Sequence, residues 1–263
     1  MFESIDQLGR KHSFENRPKH IVSLVPSQTE LLHDLGLENE VVGITKFCIH
    51  PTEWFNNKPS IGGTKNVKMD AVKALQPDLI IANKEENVKE QIEALEAIAP
   101  VWVSDVNHLK DALAMIEAIG NITNTNQKAQ HLIKEINSGF NQLKTTNTTL
   151  KTAYLIWRKP YMTVGGDTYI NDMLQYAGFE NVFANEKRYP AITIEQITEK
   201  KCDLLLLSSE PYPFKQQHIE ALQAALPRIK IVLVDGEMFS WYGSRLIAAA
   251  SYFKTLQETI RLH

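Results

Sequence analysis

Asp78-Leu79-Ile80-Ile81-Ala82 is a short apolar run, and the second half of the chain contains a similar run, Cys202-Asp203-Leu204-Leu205. An acidic residue precedes each run at the same spacing, Asp70 in the first half and Glu195 in the second. A helical pattern, a proline and a further strand pattern follow each run in the same order. A repeat of this length predicts two similar lobes and not a solenoid, whose units span roughly 20 to 50 residues.

Short apolar runs alternate with helical patterns in both halves, which is typical of parallel sheets covered by helices. Residues 20–25 predict a buried strand that Pro26 ends, and Ser27 with Glu30 predicts a capping box at the start of the next helix. Apolar residues between 125 and 143 recur every three or four positions, which predicts one long helix. The polar tract 145–149 is expected to end it.

The predicted fold is therefore α/β, with two similar parallel-sheet lobes joined by one long connecting helix and a ligand cleft between the lobes. The predicted boundaries are an N-terminal lobe over residues 1–122, a connecting helix over 123–147 and a C-terminal lobe over 148–263. A chain of 263 residues is long enough for two such lobes.

Composition excludes several classes of protein. The net charge is −3 and no dense Lys/Arg run is present, so nucleic acid is not an expected partner. The longest apolar runs are far shorter than the ~20 residues of a membrane span. Two cysteines cannot form a disulfide framework. Residues 1–16 lack the apolar segment of a secretory signal, so the expected location is periplasmic or membrane-associated if a signal has been removed, and otherwise cytoplasmic.

Several ordered motifs carry a family resemblance. The motifs are residues 6–10, Pro18-Lys19-His20-Ile21-Val22-Ser23-Leu24, Pro26-Ser27-Gln28-Thr29-Glu30, Leu75-Gln76-Pro77-Asp78-Leu79-Ile80, Gly165-Gly166 with Asp167, Asn181, and residues 239–250. With these motifs the chain resembles the substrate-binding proteins that deliver cobalamin, haem and iron-siderophores to ABC importers, also called helical-backbone metal receptors, and is most similar to the cobalamin-binding branch.

The resemblance implies a rigid connecting helix, little hinge motion and a ligand held in a shallow cleft. It also implies that an acidic residue of each lobe meets arginines on the importer permease, and Asp70 and Glu195 match those positions. Asp70 departs from the family pattern, which usually has Glu. A favourable charge near a helix N-terminus is the simpler interpretation of both residues.

Candidate ligand-binding residues follow from the position of ligands in open α/β sheets, at the carboxyl ends of the strands. Aromatic and polar residues crowd the loops expected there, and a flat macrocycle gains affinity by burying apolar area against such rings. Packing of the lobe ends is the alternative interpretation of any single ring. The candidates are Phe47, Cys48, His50, Trp54, Lys84, Glu85, Trp157, Arg158, Tyr161, Tyr212, Phe239, Trp241 and Tyr242.

Cys48 and His50 are also candidate metal-contacting groups, because thiolate and imidazole both bind transition metals and a spacing of two residues on an extended loop directs both side chains the same way. A free-ion site needs three or four ligands, so these two are expected to contact only a metal carried by the ligand, in an axial position. A half-buried thiol and a hydrogen-bonded imidazole are the alternative.

No enzyme motif is present: the sequence lacks a Gly-x-Ser-x-Gly elbow, a phosphate-binding Gly-rich loop and His-Glu-x-x-His. We therefore expect a binding protein and not an enzyme, with no intrinsic cofactor and a monomeric state. Three functions remain open. They are delivery of a corrinoid to an ABC importer, binding of haem or an iron-siderophore by the same fold, and a cytoplasmic corrinoid carrier or sensor without an importer.

Overall fold

The structure is a computed structural model that describes residues 2–143 and 150–261. Contacts between Cα atoms divide the chain into two compact units. The first unit contains Met1–Val106, Lys110–Ile136 and Trp241–Arg245, and the second contains Asn107–Leu109, Asn137–Ser240 and Leu246–His263. The predicted boundary at 147–148 and the predicted polar tract 145–149 lie outside the described residues, and the predicted lobe boundaries stay a prediction.

The first unit contains one four-stranded parallel sheet, two small antiparallel pairs and covering helices. Its elements are β1 (Phe2–Ile5), β2 (Lys11–Phe14), β3 (Ile21–Ser23), α1 (Pro26–Asp34), β4 (Val41–Ile44), α2 (Thr52–Asn57), β5 (Gly62–Gly63), β6 (Asn66–Val67), α3 (Met69–Ala74), β7 (Leu79–Asn83), α4 (Lys89–Leu95) and β8 (Val101–Ser104).

Two long helices follow, α5 (Leu109–Thr123) and α6 (Asn126–Asn141). The helix predicted over 125–143 corresponds to α6. The sequence analysis assigned no element to α5, although its buried residues Leu109, Ala112, Ile116 and Ile119 recur at helical spacing. Asn124, between the two helices, has a left-handed φ of 61°, which ends α5 before α6 begins.

The second unit contains another four-stranded parallel sheet and one antiparallel pair. Its elements are β9 (Leu150–Leu155), β10 (Tyr161–Met162), α7 (Tyr169–Tyr176), β11 (Phe179–Asn181), β12 (Ala191–Ile192), α8 (Ile194–Glu199), β13 (Leu204–Ser208), α9 (Gln216–Ala225), β14 (Lys230–Val234), α10 (Glu237–Ser240) and α11 (Leu246–Arg261). No helix in the described ranges is long and apolar enough to span a membrane.

The two parallel sheets have the same topology. The strand order is β4-β3-β7-β8 in the first and β11-β9-β13-β14 in the second. The repeated apolar runs of the sequence form the equivalent strands β7 and β13, which are buried along their whole length. Burial on both faces explains why these strands are continuous apolar runs without alternation. The prediction of an α/β fold with two similar parallel sheets is confirmed.

Glycines end the equivalent helices α1 and α7. Gly36 follows α1 with a φ of 82°, and Gly178 follows α7 with a φ of 76°. Both values lie in the left-handed region that glycine adopts without steric cost. The start of α1 differs from the prediction, because Pro26 is the first helical residue and Val25 is an N-cap without a side-chain hydrogen bond. Proline is preorganised for the first helical position, so no Ser27 capping box forms.

The loop between β1 and β2 covers the edge strand β8. Gln7 donates its backbone N–H to the Val103 carbonyl at 3.1 Å, and the buried Asp6 carboxylate accepts the Val103 N–H at 3.3 Å. Arg10 donates to the Val101 carbonyl at 2.8 Å and forms a 2.7 Å ion pair with Asp6. The backbone groups that an edge strand leaves unpaired are thereby satisfied within the chain.

Candidate functional site

Each sheet has one position where the chain connections diverge to opposite sides. In the first sheet, β3 connects through α1 to β4 on one side, and β7 lies on its other side. In the second sheet, β9 connects through α7 to β11 on one side, and β13 lies on its other side. Ligands of open α/β sheets bind outside the carboxyl ends of the strands at such a switch point. The loops after β3, β4 and β7 are therefore candidate binding loops of the first unit, and the loops after β9 and β13 are candidate binding loops of the second.

The loop after β4 exposes apolar side chains and buries its thiol. Phe47 is 50% exposed and Ile49 is 43% exposed, whereas Cys48 is fully buried. The Cys48 thiol lies 3.1 Å from the hydroxyls of both Thr29 and Thr45. Burial raises the pKa of the Cys48 thiol, with the two hydroxyls acting in the opposite direction. The buried Cys48 side chain offers no surface to a ligand and is not part of the proposed binding surface.

Trp54 also packs inside the first unit. Its ring is almost fully buried, its Nε1 donates to the Glu38 carboxylate, and the Lys58 ammonium lies 4.6 Å from the ring centroid. The ring edge of His33 packs against it at 5.3 Å between centroids. Trp54 therefore packs α2 against the first unit, and its buried ring offers no surface to a ligand.

His50 lies half-buried at the end of the same loop. Its imidazole packs edge-on against Trp241 with a centroid distance of 5.5 Å, and the Arg245 guanidinium lies 5.0 Å from the centroid of the same indole. Trp241 and Tyr242 are themselves buried. The structure therefore brings His50 and Trp241 together, with His50 as the more accessible of the two.

Arg245 forms a bidentate ion pair with Glu30 of α1. Its Nε donates to Glu30 Oε2 at 2.9 Å and its Nη2 donates to Oε1 at 2.6 Å. The side chains are 14% and 18% exposed, respectively. Burial raises the pKa of the Glu30 carboxyl, and the charge of Arg245 opposes this shift in part. Gly243, with a φ of 140°, lets the same segment approach α1, because a Cβ there would lie 3.0 Å from the Ser27 carbonyl oxygen.

The loop after β7 is organised by Asn83. The Asn83 Oδ1 accepts the backbone N–H groups of Glu85 and Glu86 at 2.8 and 3.0 Å, while its Nδ2 donates to the Ser104 hydroxyl at 3.0 Å. Lys84 is exposed and pairs with Asp105 at 2.5 Å. Such side-chain to backbone bonds fix a turn without regular secondary structure.

Tyr242 connects this loop to the segment that carries Arg245. Its hydroxyl donates to Glu86 Oε1 at 2.7 Å. Burial, followed by the charge of Glu86, raises the pKa of Tyr242 well above its ordinary value, so the phenol stays protonated and remains a donor. Glu85 is half-buried beside Glu86. The switch point of the first unit is consequently bordered by carboxylates and buried aromatic rings.

In the second unit, the loop after β9 makes a tight turn at the switch point. Met162 donates its backbone N–H to the Trp157 carbonyl at 3.1 Å, and Ile156 donates to the Met162 carbonyl at 3.0 Å. Trp157 is 40% exposed. The neighbouring loop after β13 is tied to this turn, because Tyr212 donates its N–H to the Ile156 carbonyl at 3.3 Å.

Side chains of these two loops form one cluster. The rings of Trp157 and Tyr212 lie edge to face at 5.7 Å between centroids. Arg158 lies beside Tyr212 and Tyr161, and hydrogen bonding with these two phenols raises the pKa of its guanidinium. The Tyr212 hydroxyl also lies 3.3 Å from His218 Nε2. The structure thus brings together the predicted residues Trp157, Arg158, Tyr161 and Tyr212.

Phe239 is not part of this cluster. Its ring is fully buried and packs against Tyr154 at 5.2 Å and against Phe253 at 4.8 Å between centroids. These contacts make Phe239 a core residue of the second unit. The sequence analysis missed Asn83 and His218 and assigned no pairing to Glu30 and Arg245. The Ser-x-x-Glu pattern that contains Glu30 predicts a helix cap. In the structure the Glu30 carboxylate instead pairs with Arg245.

Asp70 and Glu195 occupy equivalent positions, each in the first turn of the helix that precedes the repeated strand. Both side chains are exposed. A hydrogen bond from Thr193 lowers the pKa of the Glu195 carboxyl, which keeps it ionised. Across the described ranges, no group of three or more His, Cys, Asp and Glu side chains is arranged to hold a metal ion.

Comparison with known proteins identifies the family. A family model described as periplasmic binding protein matches residues 21–227, which is more than half of the chain. The chain belongs to the periplasmic binding protein family. It is a solute-binding protein of the ABC-importer class, and this class consists of binding proteins and not of enzymes.

The similar proteins include a vitamin-binding protein and a transporter lipoprotein. A vitamin B12-binding protein of Vibrio parahaemolyticus is 29% identical over 199 residues, which cover 73% of this chain and 72% of that protein. An ABC transporter substrate-binding lipoprotein of Bacillus subtilis is 27% identical over 259 residues, which cover 92% of this chain and 81% of that protein.

Solved structures of two Vibrio cholerae proteins share the fold. The periplasmic vitamin B12 binding protein superposes with a TM-score of 0.78 at 20% identity, over 93% of this chain and 98% of that chain. The periplasmic haem binding protein superposes with a TM-score of 0.77 at 22% identity, over 92% of this chain and 98% of that chain. At these identities the likeness concerns the fold alone.

Proposed function

We propose that this protein binds a corrinoid, specifically cobalamin, and delivers it to an ABC importer. The observation that carries the proposal is the pair of exposed aromatic rings, Phe47 and Trp157, each on a loop at the carboxyl end of a parallel sheet. The 29% identity to a vitamin B12-binding protein supports cobalamin as the ligand.

Burial of apolar area explains how such loops bind a macrocycle. Each square ångström of apolar surface removed from water contributes roughly 25 cal/mol before the cost of association is subtracted. The side chains of Phe47 and Trp157 are held out of the core, so their free surface is available for this contribution. The polar groups beside them, Lys84 and Glu85 in the first unit and Arg158, Tyr161 and Tyr212 in the second, supply hydrogen bonds that orient a ligand.

The proposal is tested by titrating the purified protein with cyanocobalamin, dicyanocobinamide, haemin and a ferric hydroxamate. Absorbance and thermal unfolding are followed in parallel, because a ligand at 100 times its Kd stabilises the folded state by about 2.7 kcal/mol. We expect saturable binding and a raised Tm with cyanocobalamin. Binding of haemin or the ferric hydroxamate without any response to either corrinoid would overturn the proposal.

A second candidate function is haem or iron-siderophore binding by the same surface. His50 favours it, since a partly accessible imidazole beside the exposed Phe47 offers an axial ligand to iron. The same group is proposed to approach the cobalt of a corrinoid. Cys48 is left out of this proposal because its side chain is buried.

Delivery to an importer permease is proposed to use Asp70 and Glu195. Both are exposed, both start equivalent helices, and neither belongs to the loops that carry the proposed binding surface. Carboxylates in such positions form charge-assisted pairs with arginines of a partner. We propose a periplasmic or membrane-associated location on this basis. If Asp70 and Glu195 are not needed for transport, the function that remains is a cytoplasmic corrinoid carrier or sensor without an importer.

A further inference from the structure

We propose that Arg158 and Tyr212 form an oxyanion subsite that takes a carboxylate or phosphate group on the rim of the ligand. The inference rests on the proposed function and specifies it further, because it states which chemical group of the ligand the second unit recognises. Arg158 and Tyr212 follow β9 and β13, so they border the switch point of the second sheet from both sides.

The backbone fixes the position of Arg158. The bridge between Trp157 and Met162 closes the turn that carries it, and Lys159 at the tip has a left-handed φ of 66°. The side chains of Tyr161 and Tyr212 pack against the hydrophobic core of the second unit. Both tyrosines therefore stand beside Arg158 from anchored positions, and the entropy lost on binding an anion is correspondingly small.

The guanidinium retains free donors. The N–H groups of arginine are arranged in a planar fork that matches a carboxylate or phosphate. No carboxylate pairs with Arg158 among the residues that the structure describes. The titratable groups that interact with Arg158 are Tyr161, Tyr212 and His218, and none of them is a carboxylate.

The hydrogen-bond directions leave the Tyr212 proton available. Lys215 donates its backbone N–H to His218 Nδ1 at 2.8 Å, so Nε2 carries the proton of the neutral ring and donates to the Tyr212 oxygen at 3.3 Å. Burial, then the charges of Arg158 and Lys215, lowers the pKa of His218 and keeps the ring neutral. The Tyr212 oxygen accepts from His218, so its own proton is left for an outside acceptor.

The ligand group that fits this arrangement is a planar or tetrahedral oxyanion beside a flat ring. Arg158 and Tyr212 donate to the oxyanion, while the exposed ring of Trp157, in contact with Tyr212, lies next to it. Charge-assisted bonds of this kind are about twice as strong as neutral ones. Two sources share this chemistry, the phosphodiester of cobalamin and the propionates of haem.

The first test uses phenyl phosphate, which combines a flat ring with an oxyanion and does not depend on the identity of the natural ligand. We expect saturable shifts of the Trp157 indole N–H signal in NMR titrations and roughly tenfold weaker binding in Arg158→Gln. Lys159→Gln is the matched control, because it removes the same charge from the neighbouring, exposed residue. Absence of binding to the wild type, or equal losses in both variants, would overturn the inference.

The second test compares ligand pairs that differ in the anion. Cyanocobalamin is paired with dicyanocobinamide, which lacks the phosphodiester-linked nucleotide, and haemin is paired with its dimethyl ester. The wild type should prefer the anionic member of the pair that binds, and Arg158→Gln should lower that preference roughly tenfold. An unchanged preference overturns the inference. If phenyl phosphate binds through Arg158 but neither macrocycle binds, the proposed function fails and the oxyanion subsite stands.

Discussion

Arg245 and Glu30 are joined by two parallel hydrogen bonds although they lie 215 positions apart in the sequence. The pair holds the segment Trp241–Arg245 against α1 within the first unit. Through the contact of Arg245 with the Trp241 indole and of that indole with His50, the pair also supports the loop after β4.

Removing Arg245 is expected to leave a buried carboxylate without its counter-charge. Arg245→Met should lower the free energy of unfolding by about 3 kcal/mol, measured by urea denaturation. The double variant Glu30→Gln, Arg245→Met should recover part of this loss, because no buried charge remains. Equal losses in the single and double variants would show that packing, and not the charge, accounts for the effect.

Trp157 is expected to contact the ligand. Trp157→Ala should weaken cobalamin binding roughly tenfold or more in calorimetry, since an exposed aromatic anchor is lost. Tyr176→Ala is a matched control, because Tyr176 is 37% exposed but ends α7 just before the amino end of β11, whereas Trp157 follows the carboxyl end of β9. Similar losses in both variants would argue against a specific contact.

Phe47 should behave like Trp157. Phe47→Ala, in the loop after β4, is expected to weaken cobalamin binding by a comparable factor without changing the urea unfolding midpoint, because its ring is half exposed. Wild-type affinity in this variant would remove the loop after β4 from the proposed surface.

His50 is expected to approach the metal of the bound ligand. Addition of the wild-type protein to aquocobalamin or haemin should change the absorbance spectrum, and His50→Ala should abolish that change while the ligand still binds. His131→Ala, on the exposed side of α6, is the control imidazole. A spectral change that persists in His50→Ala would exclude axial ligation by this residue.

Asp70 and Glu195 are expected to be needed for transport and not for ligand binding. The double variant Asp70→Lys, Glu195→Lys should bind cobalamin with a Kd within about twofold of wild type and should lose uptake through a reconstituted importer. Normal uptake would leave stabilisation of the helix N-termini as the role of both carboxylates.

Much of the fold follows from the sequence, because buried parallel strands require continuous apolar runs. The strand predicted at residues 20–25 contains β3, and the runs at Leu79 and Leu204 begin β7 and β13. The helix α5 was not predicted, because it lies between the two repeated runs and outside the repeat. The start of α1 was misassigned because Pro26 outcompetes the Ser27 cap.

The candidate site was less predictable, because residue type does not reveal which way a side chain points. Phe47 and Cys48 are neighbours, yet one is exposed and the other fully buried. Trp54 and Phe239 have the same aromatic character as Trp157 but fill the interior. The pairing of Glu30 with Arg245 depends on a contact between distant parts of the chain, and no local pattern encodes it.

The Asp6 loop over the edge of β8 has a consequence for protein synthesis. Asp6 precedes its partner Val103 by 97 positions. At a translation rate of about 5 to 20 residues per second, the ribosome needs roughly 5 to 20 s to make the intervening chain. During that interval the emerging loop has no strand to cover, and once β8 leaves the ribosomal tunnel the loop is already present. The edge of the nascent sheet is therefore shielded as soon as it forms, before a neighbouring polypeptide on the same polysome can pair with it.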